Sequence, residues 1–339
     1  MSDHLLTEEF KTPNNDLKHA GLRDDLKDAI DLPKAVIHKP YEDGGVDRRK
    51  FIEEQFLIRA KDEREDKAGY TIPFKFNVVQ NKYYEQLLND YPSSDGYREI
   101  ILKARQQGFS SVILALFVVD FITKPQSVSI CISHRAKETK LLFKRVRFYI
   151  EAYCNKNGFN IDDYLSVDTK EELENATNKA YFYIGTAGSK VGGRGDTVTN
   201  IHFSEAAFYQ ETEKVDAKEI IESTVQQVPQ GHGMVFIEST GGHYGSYYQG
   251  EWERAKEGTS IYKPRFFSWD EFYSKAWIEE QKKTFQSEEE FKSHYPADDA
   301  EAFLFSGNPF FNRMTLSQMD KASIDPILSG RLATDGQFI

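Results

Sequence analysis

The chain is poor in the features that most readily assign a protein to a class. Across 339 residues it has two cysteines, Cys131 and Cys154, too few for a disulfide framework and in no metal-ligand pattern. Both are expected to lie reduced and buried, as in a cytosolic protein. Among the histidines, His202, His232 and His243 show no ligand spacing and read as incidental. No hydrophobic run approaches the ~20 residues of a membrane-spanning helix, and the opening MSDHLLTEEFKTPNN is too polar and acidic for a signal peptide. Positive charge is in deficit as well: 43 Lys and Arg against 54 Asp and Glu leave a net charge of −11. A protein that coats DNA passively needs a basic surface, because phosphate neutralisation supplies most non-specific affinity. Any contact with nucleic acid is therefore expected from a local patch or from one face of an assembly.

What is present suits a folded chain. Hydrophobic residues make up 39% and aromatics 14%, and the length allows about two domains. Residues 1–66 are charge-rich, with weak helical patterns in DLKHAGLRDDLKDAIDL and VDRRKFIEEQFLIRAKDERE. They read as a helical N-terminal arm, or as a solvated leader.

Residues 67–261 alternate strand-like and helix-like segments. REIILKA, SVSICIS, AYFYIGTA, TNIHFSEA and GMVFIEST are short apolar runs of strand character. SVILALFVVDFI follows a Gly-Ser turn and is long enough for a buried helix. In RAKETKLLFKRVRFYIEAYCNK, Leu142, Val146, Tyr149 and Tyr153 fall at spacings of four, three and four, which is one helix face. EKVDAKEIIESTVQQV and SYYQGEWERAKEG read as further helices. Such alternation predicts an α/β fold with a mainly parallel sheet covered on both faces, whose ligands bind beyond the carboxyl ends of the strands. From residue 262 to 339 the pattern loosens, which predicts a small helical lid or linker.

Three polar clusters fall at strand ends. In KARQQGFSS, Gly108 permits the turn of a phosphate loop, although Phe109 stands where G-x-x-x-x-G-K-[ST] has its lysine. Lys103 at the loop's first position and Arg105 at its third are the candidate cations; the sequence does not choose between them. The segment Lys103, Ala104, Arg105, Gln106, Gln107, Gly108, Phe109, Ser110 and Ser111 would hold ATP, with the Ser110 hydroxyl on Mg²⁺, or is only a polar turn between two buried elements. IHFSEAAF ends in Glu205, a carboxylate able to orient the attacking water. Ser204 takes the place where a Walker B strand usually has Asp, so it could reach a metal only through water. FIESTGGHYGS brings Glu238, Ser239 and Thr240 to a third strand end, where hydroxyls can sense a γ-phosphate, or where a turn simply begins. Upstream, Gln80 has the amide needed to pair with an adenine edge. Arg194 lies in the Gly-rich SKVGGRGDTVTN, suited either to a trans arginine finger or to a plain hairpin turn.

In this order the segments FKFNVVQNKYYE, KARQQGFSS, IHFSEAAF, FIESTGGHYGSYYQGEWERAKEG and YPADDAEAFLFSG resemble the large terminase subunit of tailed bacteriophages, over roughly residues 72–307. The resemblance implies a P-loop NTPase fold of the ASCE, RecA-like kind and an ATPase that drives DNA packaging. It implies Gln80 at the adenine, a deviant Walker A loop, Glu205 as the catalytic carboxylate that polarises the water, Arg105 and Arg194 beside the phosphates, and Glu238, Ser239 and Thr240 in coupling. Implied partners are double-stranded viral DNA, the portal protein, the small terminase subunit and further copies forming a ring, at the procapsid portal in the host cytoplasm. Family members carry a C-terminal nuclease domain; this chain ends before one would begin, so no DNA cleavage of its own is expected. A helicase-like ATPase and a non-catalytic assembly protein with a nucleotide fold are the alternatives.

Overall fold

The structure is a computed structural model that describes residues 47–59, 71–91, 96–188, 197–209, 216–242 and 244–303, with Met319 and Ala322 besides. The chain enters through α1 (Arg48–Gln55), a small antiparallel pair β1 (Leu57–Arg59) and β2 (Thr71–Pro73), and α2 (Val78–Asp90). Then follow β3 (Tyr97–Lys103), α3 (Phe109–Thr123), β4 (Val128–Ser133), α4 (Ala136–Asn157) and α5 (Ile161–Tyr164). A hairpin of β5 (Leu165–Asp168) and β6 (Glu172–Asn175) leads to β7 (Tyr181–Thr186) and β8 (Asn200–Ser204). Next come α6 (Ala217–Val225), β9 (Met234–Ser239), α7 (Tyr247–Lys256) and β10 (Lys263–Phe267). The described part closes with α8 (Lys275–Lys282), α9 (Glu288–His294) and α10 (Asp299–Ala302).

Eight strands form one sheet in the order β10-β3-β9-β8-β4-β7-β6-β5. The six from β10 to β7 run parallel, and β6 and β5 add an antiparallel edge. Central parallel strands bury both faces, which is why β4, β8 and β9 read as nearly continuous apolar runs. Alternate residues feed two layers. Ile101, Cys131 and Phe236 face the cluster built with α1 to α4, whereas Ile100, Ile130 and Ile237 face the one built with α6 and α7. Helix α3 is apolar on every side and lies wholly in the first layer.

Two parts of the expected organisation differ. Residues 48–59 of the expected N-terminal arm are packed into the core: Phe51, Ile52 and Phe56 are buried, and Arg48 reaches the buried Asp120 of α3 at 3.0 Å. The helix stops at Gln55 because Phe56 turns extended, and LIR pairs as β1 rather than continuing the helical pattern. The remainder of the arm lies outside the described residues. Beyond residue 262 the chain first adds β10 to the sheet, parallel to β3. Its sequence KPRFF hides the strand, since an edge position tolerates Pro264 and Arg265 is spent on Glu99, at 2.6 Å. Only then come the expected short helices, around an aromatic cluster of Ile278, Phe291 and Tyr295 with Ala104. No helix of the described residues is long and apolar enough to cross a membrane. Both cysteines are free and buried, as expected.

Candidate functional site

The polar ends of β3, β9 and β8 lie side by side, because the sheet order places β9 between the other two. Ser204 and Glu238 are register partners across β8 and β9, and Ile101 of β3 is level with Glu238. One lateral row of the sheet thus delivers three chain segments to a single spot.

The loop between β3 and α3 is shaped by two left-handed residues, Gln106 at φ 62° and Gly108 at φ 86°. The positive φ of Gly108 favours glycine there, and a Cβ would come within 2.5 Å of the Gln80 amide nitrogen, displacing that side chain from the loop. The loop is braced from two sides. Gln80 Nε2 donates to the Gly108 carbonyl at 2.9 Å and Asn77 Nδ2 to the Gln107 carbonyl at 3.0 Å. From the C-terminal segment, the Ala104 N–H donates to Phe267 O and the Arg105 N–H to His294 O. Tyr273 OH donates to Arg105 O, and Gln107 Nε2 to Ser268 O. Among the described residues, the N–H groups of Gln106 through Ser110 have no acceptor. Unpaired donors ahead of and at the start of a 15-residue helix are available to an anion, which the helix dipole would favour.

Phe109 explains the missing lysine. Its ring is buried 4.6 Å from Phe267 and edge-on to Tyr83, so this position anchors the loop to the core. Lys103, at the end of β3, brings a buried positive charge to the base of the loop. Its ammonium is buried between Glu238 at 2.9 Å and Glu205 at 3.2 Å. Burial pulls the Lys103 pKa down, but the two carboxylates more than offset it and the group is held charged above its usual range. Arg105 is exposed at the loop's rim. Ser111 lies one step along the helix, its carbonyl accepting from Tyr149 OH.

Glu205 has φ 53° and ψ 47°, a left-handed conformation that costs a non-glycine residue about 1–3 kcal/mol and clusters at working sites. The bend turns its carboxylate across the sheet ends. Oε1 accepts from Lys103, while Oε2 accepts from Ser239 Oγ, Thr240 N and Thr240 Oγ1 at 3.3–3.4 Å. About a quarter of the side chain remains exposed, enough for solvent to reach the carboxylate.

Glu238 is fully buried. Its carboxylate accepts from Ser110 Oγ at 3.1 and 3.3 Å, from Ser204 Oγ at 3.5 Å and from His202 Nε2 at 3.1 Å. Burial would raise its pKa, but the Lys103 charge and the His202 contact hold it well below the usual carboxylate range. His202 is therefore not incidental. It is buried, with Cys131 Sγ 3.6 Å from its other ring nitrogen. An imidazole inside an apolar strand, flanked by Ile201 and Phe203, was the available signal.

Gln80, the expected adenine contact, stands beside the loop. It caps α2 as the third residue of a capping box with Asn77, its Oε1 accepting from Asn77 N at 3.0 Å. With Nε2 on the loop, both ends of the amide are engaged inside the protein, leaving one N–H and one lone pair to spare. Arg194 and His243 lie outside the described residues. Lys103, Gly108, Ser110, Ser204, Glu205, Glu238, Ser239 and Thr240 are brought together.

The donor set suits a hard divalent cation such as Mg²⁺, which takes one or two carboxylates with hydroxyl, phosphate and water oxygens. Ser110 and Glu238 supply a hydroxyl and a carboxylate in mutual contact. Among the described residues, no group of three His, Cys, Asp or Glu side chains could hold a metal by itself.

A strand inserted between the glycine-loop strand and the glutamate strand, with both segments at their carboxyl ends, is the strand arrangement of the P-loop NTPase fold. No protein-family model and no curated protein match the chain. Solved structures do. The fold is shared with the HK97 bacteriophage large terminase at a TM-score of 0.51 and 12% identity, over 72% of this chain and 49% of that one. The chain thus spans about half the length of that terminase. It is also similar to the Thermus phage P74-26 large terminase ATPase domain (TM-score 0.43, 15% identity, 64% of this chain and 97% of that one). A third similarity is to the large terminase of a thermophilic bacteriophage in complex with ATP-gamma-S (TM-score 0.42, 12% identity, 61% and 50%).

Proposed function

We propose that this chain is the ATP-hydrolysing module of a phage DNA-packaging motor. The observation that carries the reading is the convergence of Lys103, Glu205 and the glycine loop. A buried cation and a partly exposed catalytic carboxylate, 3.2 Å apart, adjoin a cradle of unpaired N–H groups. In this reading the N–H groups of residues 106–110 bind the phosphate tail, and Lys103 swings from its carboxylates onto the phosphate oxygens. Arg105, at the rim, adds a second positive charge. Glu205, released from Lys103, accepts a proton from the attacking water or orients it. Mg²⁺, bound at Ser110, would neutralise developing phosphate charge. Arg194 completes the site from an adjacent copy in a ring.

Ser239 and Thr240 support a coupling part, because both already bond the Glu205 carboxylate and so register its movement. Double-stranded DNA as the translocated substrate, portal and small-subunit partners, and action at the procapsid portal in the host cytoplasm belong to the same proposal. Their support is the motif order and the shared fold. The test is Glu205→Gln, assayed for phosphate release and nucleotide binding. The reading requires near-complete loss of turnover with binding retained; a chain that never hydrolyses ATP, with DNA or without, is the assembly protein instead.

A further inference from the structure

P-loop ATPases usually hold their metal through the loop hydroxyl together with an Asp on the Walker B strand. Here that strand offers Ser204, which has no charge to give. From the geometry around Ser110 we infer that the missing carboxylate has moved one strand sideways, to Glu238 of β9, and that Glu238 is the protein's anionic partner for the nucleotide-bound divalent cation. The inference deepens the ATPase reading and rests on it.

Four observations carry it. Glu238 is the register partner of Ser204, so the two side chains leave the sheet at the same level on adjacent strands. Strands lie about 4.8 Å apart, and the extra methylene of Glu relative to Asp recovers part of that lateral shift. Among the described residues, Glu238 is the carboxylate that touches the Ser110 hydroxyl, at 3.1 and 3.3 Å. Ser204 Oγ points at the same carboxylate from 3.5 Å, as a supporting hydroxyl rather than a ligand in its own right. Finally, the far side of the carboxylate is fixed. A carboxylate only accepts, so His202 donates through Nε2, and Cys131 stands behind its Nδ1. Metal-binding carboxylates characteristically have such outer partners, which set their direction. A counter-ion for Lys103 would need none of this, and Lys103 already has Glu205.

The inference separates from the counter-ion reading by moving the charge back. The full chain is loaded with a non-hydrolysable ATP analogue, and Mn²⁺ binding to the complex is read by electron paramagnetic resonance, with nucleotide affinity measured in chelator as well. Glu238→Gln is expected to lower Mn²⁺ affinity roughly 10–100-fold, the range found for disrupted metal environments, while metal-free nucleotide binding persists. Adding Ser204→Asp to Glu238→Gln restores net charge and is expected to recover Mn²⁺ affinity. If circular dichroism shows Glu238→Gln unfolded, the charge-conserving Glu238→Asp takes its place, with weakened Mn²⁺ binding again expected. Unchanged Mn²⁺ affinity in either single variant overturns the assignment. So does a loss that Ser204→Asp does not recover, since Glu238 would then serve Lys103 alone. A wild-type chain that binds no nucleotide, with or without metal, refutes the ATPase reading itself.

Discussion

The ammonium of Lys103 lies 3.2 Å from the carboxylate of Glu205, at the meeting point of two strands that are not neighbours in the sheet. Under the proposed function these are the phosphate-binding cation and the hydrolytic carboxylate, and they neutralise each other until something more anionic draws Lys103 away. A triphosphate is such a group. Under that proposal the contact couples substrate arrival to the freeing of Glu205.

That relationship gives the two loop cations different fates on mutation. Lys103→Met removes the charge facing Glu238, which is fully buried. Stripping one partner from a buried ion pair costs about 3–5 kcal/mol. Urea unfolding should show a loss of that order, and ATP turnover should vanish. Arg105→Ala removes an exposed side chain whose backbone alone is tied down. Stability should stay within about 0.5 kcal/mol, as for most surface changes, while nucleotide affinity falls. Equal destabilisation by both would mean that Lys103 is not the buried charge of this site.

Gln80 separates base recognition from loop support. Its Oε1 accepts from Asn77 N and its Nε2 donates to Gly108 O, so the amide serves the loop before it can serve a base. Gln80→Ala is expected to cost about 1 kcal/mol through the lost cap and to weaken ATP and GTP binding by the same factor. Competition binding of the two nucleotides checks this. A selective loss of ATP would return Gln80 to the adenine.

Much of this site was legible because the sheet writes itself into the sequence. Central parallel strands are apolar on both faces, so REIILKA, SVSICIS, IHFS and GMVFIES announce themselves, and the polar residues that end them mark one edge. Gly108 was legible for the same local reason, since its positive φ leaves few alternatives. The partnerships were not legible. That Glu238 meets Ser110, Ser204 and His202 depends on strand register, which links residues 34 to 128 positions apart. Strand β10 escaped notice because its polar residues are satisfied by Glu99 and Asp90 on other elements. Residues 48–59 looked like a solvated arm because Arg48 and Gln55 are polar, although the fold buries both.

The packing of α1 makes the start of the described chain part of the core that covers the sheet. Arg48 Nε donates to Asp120 Oδ1 at 3.0 Å, and Asn200 Nδ2 reaches the other carboxylate oxygen at 3.2 Å, tying α1, α3 and β8 together. Arg48→Met leaves the Asp120 carboxylate buried beside the neutral Asn200 amide and is expected to cost about 3–5 kcal/mol. Combining it with Asp120→Leu should recover part of that loss, because an apolar pair of similar volume tolerates burial better than an orphaned charge. Denaturant midpoints of the two variants check the order. If Arg48→Met leaves stability unchanged, α1 contributes no more than a surface arm would.

The loop's C-terminal brace should fail in acid. Burial, with the charges of Arg105 and Lys103 nearby, depresses the His294 pKa to about 4, and its Nδ1 is buried without a partner. An unfolded histidine titrates near 6.5. Between those values the unfolded chain binds a proton that the folded chain refuses, so stability rises with pH across the window and is lost as pH falls through it. Because the His294 carbonyl accepts the Arg105 N–H, the strain falls on the phosphate loop. Melting temperatures from pH 7 down to 4.5 should therefore drop more steeply in wild type than in His294→Gln, which cannot take up the proton. The protection factor of the Arg105 amide, corrected for the intrinsic exchange rate, should fall over the same range in wild type alone; parallel profiles for the two proteins would show that His294 is not what makes the brace acid-sensitive.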